Sequence, residues 1–281
     1  MTLRQALTLA TQTLAASEHL RANAHRDAER LLLHTLQIPR TTLLAHPTRE
    51  LSAIEEALYE SHIARRLKNE PIQYITGEQE FYGLPLKVTP AVLIPRPETE
   101  HLVEAVLQRL APDQPHRIVD IGTGSGAIAI ALAVHLPQAN ITAIDLSPEA
   151  LKVAQANAET HAVGNRISFL QSDLLAAIAN EFPYDAIVSN PPYIPESDSP
   201  TLHPEVRDHE PHTALFSGPE GLDIYCRLIP QARALLKPNG FIALEIGHGQ
   251  CEALAALLSD WHNVSFVDDL QQIPRVALAT R

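Results

Sequence analysis

The stretch RIVDIGTGSGAIAIALAVHL, residues 117–136, decides the fold. Arg117–Ile121 is a short run rich in β-branched residues, carrying Asp120 as its one acid. Gly122-Thr123-Gly124-Ser125-Gly126 follows, and then Ala127–Leu136, apolar except for His135. A strand that passes through glycines into a helix can turn sharply and let a ligand approach the backbone, and the helix N-terminus offers N–H groups without partners. Working outward, strands are predicted at Ile141–Leu146, Ile167–Ser172, Tyr184–Ser189, Phe241–Ile246, Val264–Val267 and Val276–Thr280, with helices between most of them. The helix after the second strand announces its start with Ser147 as N-cap and Pro148 in its first turn. Such alternation predicts a Rossmann-like α/β fold: seven strands, mainly parallel, covered on both faces. The last two strands are joined by a turn around Gln271–Pro274 that is too short for a crossover, so the final strand is predicted antiparallel.

Upstream the pattern changes twice. Residues 1–70 read as a small helical bundle, with Leu3, Leu7, Ala10 and Leu14 on one face, then Ala28, Leu31 and Leu32, then Ile54, Leu58 and Leu67. Residues 71–98 mix β-branched and aromatic residues with Gly77, Gly83 and several prolines, and read as a hairpin or extended bridge. Residues 99–281 form the α/β body.

The 281 residues carry 21 Lys+Arg against 33 Asp+Glu, a net charge of −12 that counts against a protein gripping nucleic acid by itself. No apolar run approaches the roughly 18 residues of a membrane helix. The first residues space their apolar positions as an amphipathic helix rather than as a signal peptide. Cys226 and Cys251 are too few for a disulfide framework and suit a reducing cytoplasm. His203, His209 and His212 lie among acids, but their spacing is no recognised zinc pattern, and no metal is expected. The basic run Arg65-Arg66-Leu67-Lys68 reads as a solvated helix face.

The glycine loop alone allows a dinucleotide or S-adenosylmethionine. Three acids favour the latter. Asp120 precedes the first glycine by two residues, where it can pair with the ammonium of the methionine part. Asp145 ends the second strand, where it can accept from both ribose hydroxyls, and Asp173 ends the third, where it can accept from the adenine amino group. The fourth strand ends in Asn190-Pro191-Pro192-Tyr193. Asn190 offers a side-chain carbonyl and Pro191 a backbone carbonyl, a pair able to hold both N–H bonds of one planar NH2 group. Tyr193 offers a flat surface for stacking. This box does not by itself separate adenine, cytosine and a glutamine amide.

From Pro71 onward the chain resembles the release factor glutamine methyltransferases (the HemK/PrmC type). The matching stretches are PIQYITGEQEFYGLPLKVTPAVLIPRPETEHLVE at 71–104, DIGTGSGAIAIALA at 120–133, IVSNPPYIP at 187–195, EPHTALFSGPEGLDIY at 210–225 and GFIALEIGHGQ at 240–250. One departure is Glu220, where related sequences more often carry Asp. The resemblance implies that Gly122, Thr123, Gly124, Ser125 and Gly126 wrap the methionine part of S-adenosyl-L-methionine, that Asp145 holds its ribose, and that Asp173 and Leu174 border its adenine. Asn190, Pro191, Pro192 and Tyr193 would grip the glutamine carboxamide of class 1 peptide-chain release factors, within their Gly-Gly-Gln tip. Phe81, Arg96 and Glu98 fall in similar stretches, where a wall of the pocket and a structural role are both open. The runners-up are an amino methyltransferase acting on adenine in DNA or RNA, which would share the box, and a non-catalytic protein that binds S-adenosylmethionine.

Overall fold

The computed structural model describes residues 1–180 and 183–281. In chain order the helices are α1 (Leu3–Ala15), α2 (Ala24–Leu36), α3 (Arg40–Ala45), α4 (Ala53–Arg66), α5 (Ile72–Thr76), α6 (Glu100–Leu107), α7 (Ala127–His135), α8 (Pro148–Thr160), α9 (Pro204–His209), α10 (Asp223–Leu235) and α11 (Cys251–Leu257). The strands are β1 (Glu78–Phe81), β2 (Leu84–Lys87), β3 (Arg117–Ile121), β4 (Asn140–Asp145), β5 (Ile167–Gln171), β6 (Tyr184–Ser189), β7 (Leu236–Glu245), β8 (His262–Asp268) and β9 (Pro274–Thr280). The chain divides into two compact units. One is Met1–Glu78 with Thr201–His209, and the other is Gln79–Pro200 with Glu210–Arg281.

The first unit is helical. Capping boxes start α1 (Thr2 with Gln5) and α4 (Ser52 with Glu55), each satisfying two backbone donors that a helix start would leave orphaned. Leu3, Ala6, Ala10 and Leu14 of α1 pack with Ala28, Leu31 and Leu32 of α2 and with Tyr59 and Ile63 of α4. The face of α4 differs from the sequence expectation: Ile54 and Leu58 are 81% and 45% exposed, while Tyr59, His62, Ile63 and Arg66 turn inward. Polar groups explain the choice. The Tyr59 hydroxyl donates to the Ala28 carbonyl at 2.9 Å, and Arg66 donates from Nε to Asp27 at 2.8 Å and from Nη2 to Glu205 of α9. Arg66 is therefore a buried, fully engaged cation rather than part of a solvated face. A second difference is α5, within the segment expected to be extended. Ile72, Tyr74 and Ile75 are buried there, and Gly77 ends the helix at φ 78.

The second unit is built on one sheet of order β5-β4-β3-β6-β7-β9-β8. Pairs from β5 to β7 are parallel; β9 runs antiparallel to both β7 and β8. The seven-stranded, mainly parallel sheet expected from the sequence is thus present, with its antiparallel final strand. Alternate residues of each strand feed opposite cores: Ile118 packs with α6 and α7, and Val119 with α10. Helix α7 is buried from Ala127 to Ala133, which is why its sequence is apolar on every side. The hairpin β1–β2 turns at Tyr82 and Gly83, both at positive φ (53 and 73), a turn that suits the twist of an antiparallel pair. Strand order reverses at β3, which lies between β4 and β6, so a crevice opens at the carboxyl ends of these strands. No helix among the described residues is long and apolar enough to cross a membrane.

Candidate active site

A cavity of about 450 Å³ occupies that crevice. Its walls come from the ends of β3, β4 and β6, from residues 91–93 after the hairpin, and from Pro211, Thr213 and Ala214. Of the residues singled out in the sequence, Gly122, Gly124, Asp145, Asp173, Leu174, Asn190, Pro191 and Pro192 line it together. Asp120, Thr123, Ser125 and Gly126 stand behind this wall, and Tyr193 stands to one side of it, packed on the core that contains α10.

The glycine loop is held from both sides. Gly124 N–H donates to Asp145 Oδ2 at 2.8 Å, and Ser147 N–H to Asp145 Oδ1 at 2.9 Å. Each oxygen keeps a further lone pair for a ligand hydroxyl. Burial raises the Asp145 carboxyl above its ordinary range, opposed by these N–H donors. Asp120 Oδ2 accepts from the Thr123 hydroxyl at 2.7 Å and from Ala129 N–H at 3.2 Å, whereas its Oδ1 is buried without a partner. Burial pushes this carboxyl up to about 7. Gly126 serves packing: an added Cβ would lie 3.1 Å from the Ala154 Cβ of α8, at φ +84. Behind the loop, Asn157 donates from Nδ2 to the carbonyls of Ser125 and Lys87, both at 2.9 Å, and accepts from Lys87 N–H at 2.8 Å.

The N-P-P-Y box is anchored just as firmly. Asn190 Nδ2 donates to Thr99 Oγ1 at 3.0 Å. The Tyr193 hydroxyl donates to Glu245 Oε1 at 3.4 Å, and Gln250 Nε2 donates to the carbonyls of Tyr193 and Gly221. A Cβ on Gly221 would sit 2.1 Å from the Tyr193 carbonyl oxygen, so only glycine fits there. These contacts give a physical reason for the stretches at 210–225 and 240–250: they brace the box from behind. Asp173 is paired with Arg227 at 2.6 Å, in the open, an interaction worth about 0–1 kcal/mol. Phe81 belongs to the core, and Arg96 is bound to the buried Glu210, which also accepts from Ile94 N–H. Neither lines the cavity, nor does Glu98; Ala91, Val92 and Leu93 do.

Sequence reading missed Thr99, Asn157, Glu245 and Gln250. A signal existed for one of them: Glu245 is a single acid in an otherwise apolar strand run, and such a residue is buried at a cost unless it has partners.

The fold and the domains matched are those of a methyltransferase. Residues 99–203 match the methyltransferase small domain, and residues 5–77 match the PrmC N-terminal domain. The fold resembles that of a methyltransferase from Pyrococcus furiosus (TM-score 0.51, 18% identity, covering 79% of this chain and 98% of that one). Two relatives, the release factor glutamine methyltransferases of Koribacter versatilis and Moorella thermoacetica, are each 46% identical to it, over 281 and 284 residues, covering 100% of this chain and 99% of theirs. The chain belongs to the release factor glutamine methyltransferase family.

Proposed function

We propose that this chain transfers a methyl group from S-adenosyl-L-methionine to the side-chain amide nitrogen (N5) of the glutamine in the Gly-Gly-Gln motif of class 1 peptide-chain release factors. In this reading residues 1–70 are the docking domain for the protein substrate, residues 71–98 a bridge, and residues 99–281 the methyltransferase domain. The names of the relatives support the substrate class. The observation that carries the chemistry is the bond from Asn190 Nδ2 to Thr99. It commits the nitrogen end of the Asn190 amide to the protein and leaves the carbonyl end for a donor in the cavity.

The residues present fit the cofactor. Asp145 has lone pairs to spare on both oxygens, and Asp120 holds a buried oxygen with no protein partner beside the loop expected to wrap the methionine part. Asp145 would hold the ribose, Asp173 and Leu174 would border the adenine, and Asp120, set behind the cavity wall, would meet the ammonium through water. S-adenosyl-L-methionine, when bound, supplies a methyl group on a sulfonium that loses its charge on transfer.

The work left to the chain is orientation. An amide nitrogen is a weak nucleophile because its lone pair is shared with the carbonyl, the same conjugation that gives a peptide bond a rotation barrier of roughly 18–20 kcal/mol. Asn190 Oδ1 and the Pro191 carbonyl accept the two N–H bonds of the carboxamide and turn the face of its nitrogen toward the methyl donor. Their dipoles point at the nitrogen before reaction, so they stabilise positive charge as it develops there; the N–C bond forms as the C–S bond breaks, and the surplus N–H proton then leaves to water. Tyr193 supplies the stacking surface, anchored through its hydroxyl. A glutamate side chain offers no donors to these two oxygens, and each buried acceptor left unpaired costs about 1–3 kcal/mol.

Mass spectrometry of a release factor incubated with the enzyme and S-adenosyl-L-methionine tests the proposal. One added methyl on the glutamine of the Gly-Gly-Gln motif is the expected product. An unmodified release factor, or label transferred to nucleic acid instead, would reject it.

A further inference from the structure

Much of the cavity wall is made of strand ends, fixed by the ladders of the sheet. Two stretches of wall lie outside it: Ala91, Val92 and Leu93 after the hairpin, and Pro211, Thr213 and Ala214 before α10. Irregular chain has no ladder to hold it, so turns and side chains must fix its place. Glu210 joins the two stretches. It stands at the head of the second, and its carboxylate takes groups immediately beyond the first. Ile94 N–H donates to Oε2 at 3.3 Å, and Arg96 Nη2 donates to Oε1 at 2.5 Å.

The Glu210 side chain is 1% exposed. A carboxylate so buried persists only where donors meet it, and these two donors come from the facing wall. The second wall is held at its other end as well. Ile194 N–H donates to the Leu215 carbonyl at 2.9 Å and Ser217 N–H to the Ile194 carbonyl at 3.0 Å, a parallel bridge between Ile194 and Phe216. The Ser217 hydroxyl then accepts from Ile224 N–H of α10 at 3.0 Å. Ile194 directly follows Tyr193. A continuous path therefore runs from the first wall through Glu210 and the second wall to the N-P-P-Y box.

We propose that Glu210 is a positioning residue that latches these two walls together, at the spacing that encloses S-adenosyl-L-methionine beside the N-P-P-Y box. It rests on the functional reading only for the identity of the cofactor. With the latch closed, the cavity is already shaped for its ligand. With it open, the carboxylate and Ile94 N–H turn to water, the walls part, and only the closed fraction of molecules binds. By reciprocity, a bound cofactor holds the latch shut. Neither Glu210 nor Arg96 lines the cavity, so both act through the backbone of the walls and not by touching the ligand.

Native-state hydrogen exchange of the full chain tests the latch without any ligand. Val92 and Ile94 N–H in one wall, and Ala214 and Leu215 N–H in the other, each donate a hydrogen bond, so their exchange reports opening. A latch makes the two walls open in one event with one opening constant, although Ile94 and Glu210 are 116 residues apart. Glu210→Gln, which keeps the shape and loses the charge, should raise that constant by about 10-fold at both walls, and Glu210→Ala by on the order of 100-fold. Saturating S-adenosyl-L-methionine should slow both walls of the wild type together. Calorimetric Kd for the cofactor should rise by about 10-fold in Glu210→Ala and by less in Glu210→Gln. A Glu210 that merely stabilised the fold would lower the urea midpoint and leave Kd where it was. Walls that exchange with different constants in the wild type, a variant that speeds one wall alone, or a cofactor Kd in Glu210→Ala within about twofold of wild type overturns the proposal. If Glu210→Ala does not fold, Glu210→Gln decides, and wild-type opening constants in that variant refute the latch. A different methyl acceptor would sink the functional reading and leave both readouts standing.

Discussion

Asn157 gives the sharpest test of how the glycine loop is held. Its side chain is on a residue 2% exposed and makes three hydrogen bonds of 2.8 to 2.9 Å, two to Lys87 and one to Ser125. Asn157→Ala leaves one N–H and two carbonyls without partners in a buried place. At about 1–3 kcal/mol each, with some relief from water entering a polar gap, the loss should be roughly 3–5 kcal/mol. Asn157→Asp is the discriminating control. It keeps the acceptor for Lys87 N–H but sets a carboxylate oxygen against two carbonyls, so it should be no more stable than the alanine variant despite its nearly identical shape. Trp261 is the one tryptophan of the chain and lies in the core of the same unit, so its fluorescence during urea unfolding reports the transition that matters. With the Ser125 carbonyl released, the loop loses its backing, and the calorimetric Kd for S-adenosyl-L-methionine should rise in both variants. An alanine variant within about 1 kcal/mol of wild type, or an aspartate variant as stable as wild type, would show that the three bonds do not hold the loop.

Other expectations follow from the same geometry. Asn190→Ala should bind cofactor normally while kcat on the release factor falls by on the order of 10²- to 10³-fold, as for other groups aimed at developing charge; near-normal turnover would remove Asn190 from the chemistry. Asp145→Ala should raise the cofactor Kd measured by calorimetry, and an unchanged Kd would reject the ribose assignment. Asp120 should make the empty protein less stable as pH rises. Between its ordinary value of 3.8 and about 7 the folded chain keeps a proton that the unfolded chain has lost, so stability drains away across that window. The total is roughly 4 kcal/mol, and Asp120→Asn should flatten the difference in urea midpoint between pH 4 and pH 8. An identical pH dependence in the two proteins would place the titration elsewhere.

What could be read from the sequence was whatever repeats locally. The glycine loop, the strand periods and the Ser147 cap are properties of short segments, and each appears in the structure where expected. The carboxyl ends of β3, β4 and β6 then bring Gly122, Asp145 and Asn190 to one cavity as a consequence of strand order. The groups that hold the site in place were not legible, because their partners are remote. Thr99 lies 91 residues from Asn190, and Lys87 lies 70 from Asn157. Nothing in a local pattern marks such a pair. The face of α4 was misjudged for a related reason. Apolar spacing favours Ile54 and Leu58, but the inward side is chosen by Tyr59 and Arg66, whose polar ends find partners on α2 and α9.

The Arg66 cluster has a bearing on how the protein is made. Its guanidinium draws one acid from α2 and another encoded 139 residues later, in a segment that belongs to the helical unit although β3 to β6 come before it. On the ribosome the N-terminal helices therefore emerge first with Arg66 already paired to Asp27, yet the guanidinium meets its second carboxylate only after four strands of the sheet have been synthesised. A fragment ending at Glu78 would keep the Arg66–Asp27 pair and the bond to the Glu70 carbonyl but would leave Nη2 without its carboxylate partner. The helical front of this chain is finished only when four of the seven strands of the sheet already exist.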